Sequence, residues 1–257
     1  MLLAIDVGNT NITFAAFSGK SLVKEWRIAT SASRTAEEYG VWLNQAMNLD
    51  KLHIQDIKNV IIGTVVPETL FNLKGLCKRY FNCTPFVIGE DNVDIGMVPQ
   101  IDNPKEAGAD RLVDAVAAHS KYGGPIIVID FGTATTLDVV NADGNYAGGV
   151  IAPGVNLSLD ALHSAAAKLP RIAVERPEKV IGKNTISCMQ SGIYWGYISM
   201  VEGLVARMRV EYGENLLTVA TGGLASLFGR GTDVIDHIDP DLTLTGLVEI
   251  FHKNHPI

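Results

Sequence analysis

The chain has 257 residues, 47% of them hydrophobic, and a formal net charge of −7. That length and apolar content suit one large or two small domains with real cores and exclude a disordered chain. The acidic balance argues against a nucleic-acid-binding surface, which would be basic, and no apolar run reaches the length of a membrane span.

The N-terminal stretch Leu2 to Phe17 reads LLAIDVGNTNITFAAF. Two apolar runs flank a turn that carries Asp6, Gly8, Asn9, Thr10 and Asn11, a pattern of two strands joined tightly. Gly8 lets the backbone approach and direct N–H groups at phosphate oxygens. Asp6 would repel a bare phosphate, so its presence implies a cation, with Mg²⁺ held through water the expected one. Ser18-Gly19-Lys20 is a hairpin turn and not the end of a Walker A loop, which would need glycine where Phe14 stands. Ser21 to Ala29 is a third strand. Thr35 to Glu38 is a capping box that opens a helix reaching about Asn48. A buried strand is expected over Asn59 to Val66, then a helix from Pro67 to about Tyr80, then a short strand over Thr84 to Ile88.

The second half begins near Glu106 with a helix, and the opening pattern then returns. Ile126 to Val140 reads IIVIDFGTATTLDVV. Asp130 matches Asp6 and Gly132 matches Gly8, at an offset of 130 − 6 = 124 residues. Each copy is followed by a turn, the second over Asn141 to Gly144, and by a third strand. Helices are expected over Pro153 to Lys168 and Thr185 to Tyr212, the latter weakened at Gly192, Gly196 and Gly203. Leu216 to Ala220 is a strand, Thr221-Gly222-Gly223 a loop, Leu224 the start of a short helix, and Leu242 to Lys253 a last helix. The chain is thus a duplicated, hairpin-led α/β domain, with expected halves 1–105 and 106–257. Two such phosphate turns resemble the actin-like, sugar-kinase-like ATPase superfamily. That resemblance implies two ribonuclease H-like domains, each a mixed β-sheet flanked by helices, with an ATP cleft between them.

Asp102 to Arg111 reads DNPKEAGADR and leads into the apolar helix LVDAVAAH. Asp110 at that helix start can be a plain helix-stabilising residue. It can equally take a proton from a hydroxyl nucleophile while Arg111 grips an anionic group. Phosphoryl transfer needs little else beyond cations and positioning. Gly222-Gly223 and Gly148-Gly149 are candidate points of close ligand approach as well as ordinary bends.

DVGNTN, GADR, DFGTATT and GGVIAPG (Gly148 to Gly154) stand in one order along the chain, and together they resemble the type III pantothenate kinase family. The resemblance implies ATP-dependent phosphorylation of pantothenate, the first committed step towards coenzyme A, by a cytoplasmic homodimer. Carried over by motif, Asp6, Val7, Gly8, Asn9, Thr10, Asn11, Ile12 and Thr13 form the first ATP loop, and Thr133 lies in the second. Gly108, Ala109, Asp110 and Arg111 bind pantothenate, with Asp110 the general base, and Thr185 is a further contact. Asp130 corresponds to the ligand of a monovalent cation, K⁺ or NH₄⁺, beside the Mg²⁺ that accompanies ATP. Ile101 stands where many members carry a pocket tyrosine and would supply apolar packing alone.

Other features are consistent with that reading. Cys77, Cys83 and Cys188 cannot all pair and match no zinc spacing, so reduced thiols are expected. The first motif starts directly after Met1, which leaves no room for a cleavable signal. Rival readings are another actin-like phosphotransferase and a non-enzymatic regulator of transcription; no recognisable helix-turn-helix supports the latter, and fold alone does not carry a filament role.

Overall fold

The structure is a computed structural model that describes residues 1–166 and 169–255. In chain order the elements are β1 (Leu2–Val7), β2 (Asn11–Ser18), β3 (Ser21–Ala29), α1 (Ala36–Leu49), β4 (Asn59–Thr64), α2 (Pro67–Leu76), β5 (Phe86–Val87) and α3 (Ala109–Tyr122). There follow β6 (Ile126–Phe131), β7 (Ala134–Val140), β8 (Tyr146–Pro153), α4 (Val155–Ala165), α5 (Thr185–Tyr212), β9 (Leu217–Thr221), α6 (Ala225–Gly229), β10 (His237–Ile238) and α7 (Leu242–Asn254). The helix expected over Pro153 to Lys168 is shorter, and Lys168 lies outside the described residues.

The duplication is built into the sheets. One has the order β3-β2-β1-β4-β5, the other β8-β7-β6-β9-β10. In each, an antiparallel three-strand meander meets a parallel pair at its first strand. Asp6 faces Thr13 on one side and Gly63 on the other. Asp130 faces Thr136 and Thr221 in the same way.

The chain packs into two compact units. The first holds residues up to Val98, Asp102–Ala117 and the chain from Leu242; the second holds Pro99–Ile101 and Ala118–Asp241. This partition differs from a single division at 105/106. The physical reason lies in α7, whose Leu244, Leu247, Val248 and Phe251 are buried with Leu2, Ala4 and Phe17 of the first sheet. An apolar helix face goes where it is covered, not where it falls in sequence.

In the first unit the sheet is covered on both faces. Strand alternation sends Leu3, Ile5, Ile12 and Phe14 to one face, against Tyr39, Leu43 and Met47 of α1 and Leu73 and Leu76 of α2. Leu2, Ala4, Ala15 and Phe17 go to the other, against Val113 of α3 and the apolar side of α7. The expected capping box is present: Thr35 Oγ1 accepts from Glu38 N–H, and Glu38 accepts from Thr35 N–H at 2.7 Å. In the second unit Ile127, Ile129, Phe131 and Leu137 form one core with Tyr194, Tyr197 and Val201 of α5 and Phe228 of α6.

Helix α5 runs unbroken for 28 residues. It did not weaken at Gly192, Gly196 or Gly203. A helical glycine costs only about 1 kcal/mol relative to alanine, and the buried row Met189, Ile193, Tyr194, Tyr197, Ile198, Val201 and Val205 outweighs that. Asn184 and Ser187 cap its start reciprocally, and Gly213, at φ 83°, ends it.

Candidate active site

The first turn is fixed by its own backbone and by the end of β3. Gly8 N–H donates to Asn11 O at 3.0 Å, Thr30 N–H donates to Thr10 O at 2.9 Å, and Thr30 Oγ1 donates to Gly8 O at 2.6 Å. Asn9, Thr10 and Asn11 are exposed there. Val7 and Ile12, also expected in the ATP loop, bury their side chains in the core, so only their backbone could meet a ligand. Thr13 is almost fully buried beside Asp6.

Asp6 is displaced from ordinary carboxylate behaviour. Burial pushes its pKa up from 3.8 to about 6, the charge of Asp110 pushes the same way, and Arg27 opposes both. Asp110 reaches Asp6 because α3 lies on the face of the sheet to which Asp6 points, with Val113 in the core shared by that face. The Asp110 carboxylate is oriented locally, its Oδ1 accepting from Arg111 N–H at 2.8 Å. A Cβ at position 108 would lie 2.6 Å from that same oxygen, so glycine there leaves the carboxylate its place.

The second turn is tighter. Gly132 N–H donates to Ala134 O at 3.0 Å, so its bond spans one residue fewer than the Gly8 to Asn11 bond. Asp130 is hemmed in by backbone. A Cβ at Gly132 would sit 2.9 Å from its Oδ2, and one at Gly222, where φ is 89°, would sit 2.2 Å from its Oδ1. Thr133 is exposed at the tip, and Gly154 packs so closely beneath that a Cβ would lie 2.0 Å from Thr133 O. Gly223 has open space where a Cβ would be.

The expected site residues therefore divide. Asp6 to Thr13 and Gly108 to Arg111 belong to the first unit, with Asp6 and Asp110 in electrostatic contact. Asp130, Thr133, Thr185 and Ile101 belong to the second. There Thr185 is exposed in the first turn of α5, and Ile101 Cγ2 stands 3.7 Å from a Cβ position at Gly148. Among the described residues no group of three or more His, Cys, Asp or Glu is arranged to hold a metal. The donors do fit hard cations that keep water or backbone oxygens. Asp6 and Asp110 concentrate negative charge, and Asp130 sits in a cradle that a Cβ would fill.

A family model for type III pantothenate kinase matches residues 2–207. The chain belongs to that family. It is 59% identical over 254 residues to the type III pantothenate kinase of Paramagnetospirillum magneticum, covering 99% of this chain and 98% of that one. It is 59% identical over 256 residues to that of Rhodospirillum rubrum, covering both in full, and 56% identical to that of Caulobacter vibrioides over 256 residues, 99% of this chain and 98% of that one. Among solved structures it is similar to a Campylobacter jejuni chain described as a candidate Baf family transcriptional activator, with TM-score 0.62, 16% identity, 99% of this chain and 100% of that one covered. It is also similar to component A of an Acidaminococcus fermentans (R)-2-hydroxyglutaryl-CoA dehydratase, with TM-score 0.55, 16% identity and coverage of 96% and 94%. At that identity these two likenesses speak to the fold alone. As a member of the type III pantothenate kinase family the chain is an enzyme of the kinase class.

One residue near Asp6 has no place among the sequence-level candidates. Arg27 acts on the Asp6 carboxylate from β3. The signal was available: in Trp26-Arg27-Ile28 the two apolar residues face the core, which turns Arg27 to the opposite side. Cys77, Cys83 and Cys188 form no disulfide, and no described helix is long and apolar enough to cross a membrane.

Proposed function

We propose that the enzyme transfers the γ-phosphoryl group of ATP directly to the primary hydroxyl of pantothenate. The observation that carries this reading is the pairing of Asp6, at a phosphate-suited turn, with Asp110, on a glycine-relieved helix start, in a chain of the type III pantothenate kinase family. Membership of that family brings in ATP and pantothenate as the substrates.

In this reading the exposed turn at Asn9 to Asn11 receives phosphate oxygens. Asp110 takes the proton of the hydroxyl as its oxygen bonds to the γ-phosphorus and the bond to the ADP oxygen breaks. Arg111 orients the acceptor through its anionic end, and Thr185 and Ile101 are the further pantothenate contacts that the family resemblance implies. Asp6 would hold water around Mg²⁺, and Asp130 a monovalent cation. The chemistry those ions supply when bound is neutralisation of phosphate charge. Thr133, exposed at the tip of the second turn, would meet nucleotide. No covalent enzyme intermediate is required.

A cytoplasmic homodimer completes the reading. Exposed Leu157, Val180, Ile181 and Ile186 in the second unit support a self-association surface there. The test is mass-spectrometric detection of phosphopantothenate from Mg-ATP and pantothenate, in K⁺ and in Na⁺. Product in K⁺ and little in Na⁺ supports both the reaction and the cation role. Product in both keeps the reaction and removes the role of Asp130; none in either overturns the reaction.

A further inference from the structure

One row of residues crosses the first sheet. Asp6 pairs with Gly63 of β4 and with Thr13 of β2, and Thr13 pairs with Arg27 of β3. Residues directly opposite each other on neighbouring strands share a face. The residues flanking Arg27, Trp26 and Ile28, pack into the core against the other face. Arg27 therefore projects on the side of Asp6.

The spacing suits a shared anion. Two strand intervals set the backbones of Asp6 and Arg27 about 10 Å apart. An extended arginine side chain is long enough to cover much of that distance. Among the described residues the ion pair of Arg27 is a loose surface one. Its side chain is 62% exposed, and its ion partner, Glu25, is 3.8 Å away on its own strand. A surface pair of that kind contributes little to stability. A guanidinium offers a planar fork of donors that matches phosphate oxygens.

We propose that Arg27 binds the γ-phosphoryl group of the nucleotide, on the side of the Asp6 turn reached from β3, and holds it in place for transfer. The inference rests on the kinase reading for its reaction but not for its binding contact. Removing such a contact costs more with ATP than with ADP, because ADP lacks the group it grips.

The experiment compares wild type, Arg27→Gln, Arg27→Lys and Glu25→Gln by calorimetric titration with Mg-ATP and Mg-ADP, and by turnover with pantothenate. Arg27→Gln is expected to weaken ATP about tenfold while ADP stays within about threefold. It should lower kcat by roughly 10²–10³-fold with little change in the pantothenate KM. Arg27→Lys should fall between, since it keeps the charge and loses the fork. Glu25→Gln should match wild type. Equal weakening of ATP and ADP, or unchanged binding with kcat close to wild type, would overturn the proposal. If wild type does not turn over pantothenate yet Arg27→Gln still loses its discrimination between ATP and ADP, the acceptor assignment fails and the Arg27 contact stands.

Discussion

Asp6 at the end of β1 and Asp110 in the first turn of α3 stand close enough for the charge of one to raise the pKa of the other, and with burial this takes Asp6 to about 6. Two mutually repelling carboxylates are the kind of pair on which the proposed cation and proton-acceptor roles can rest. If Asp110 is the base proposed above, replacing it with Asn removes the proton acceptor and keeps the shape. Turnover should fall by about 10²–10⁴-fold while ATP affinity holds or improves slightly. Steady-state kinetics beside nucleotide titration check this; near-full turnover would remove Asp110 as base.

Asp6 also links stability to pH. Its folded value of about 6 lies above the ordinary 3.8, so the folded state holds the proton more tightly than the unfolded one. Its penalty on folding is absent below the ordinary value, grows as pH rises between the two, and is complete above about 6. Asp6→Asn should therefore stabilise the ligand-free protein by about 1–2 kcal/mol at pH 7 to 8, a discounted figure because Asp6 is part-exposed. That advantage should shrink as pH falls towards 4. Denaturant melts of both proteins across this range test the sign, and the variant should use Mg-ATP poorly.

Gly222 and Gly223 differ in what an added side chain would meet. An added Cβ at Gly222 would collide with Asp130 at a backbone φ of 89°, whereas Gly223 has room. Gly222→Ala should cost about 1–3 kcal/mol of stability. Gly223→Ala should leave stability within about 0.5 kcal/mol and raise the ATP KM if nucleotide lies against that backbone. Thermal melts and ATP saturation curves distinguish the two.

Asp239, 5% exposed, accepts from Lys121 Nζ at 2.6 Å and from Tyr122 OH at 3.0 Å. It ties the end of α3 to the segment after β10. Asp239→Ala removes the acceptor of both and should destabilise by about 1–2 kcal/mol, since Lys121 is exposed and Tyr122 half-buried. Asp143→Ala, in the exposed β7–β8 turn, serves as a control with a change near zero.

Much of this was legible in the chain because local rules decide it. The Asp-x-Gly turns, the hairpins and the Thr35 capping box are set by neighbours in sequence. Long-range packing decides the rest. Nothing local says that α7 covers the first sheet, or that α3 brings Asp110 to Asp6. The glycines of α5 look like breaks, yet a Cβ at Gly192 or Gly196 would meet nothing within 4 Å and the buried row beside them keeps the helix whole. Val7 and Ile12 fall inside the phosphate-loop motif, but strand alternation turns their side chains into the core. Arg27 lies far from every motif; the alternation of Trp26 and Ile28 gives its face, and register across three strands sets it in line with Asp6.

Acceptor-dependent phosphoryl transfer with Asp110 as base should show in ADP release from Mg-ATP in K⁺ buffer, measured with and without pantothenate for wild type and Asp110→Asn together. Release in wild type should depend on pantothenate and match its consumption one for one, and release in the variant should be lower by at least about 10²-fold. ADP release indifferent to pantothenate, or equal in the two proteins, would contradict it.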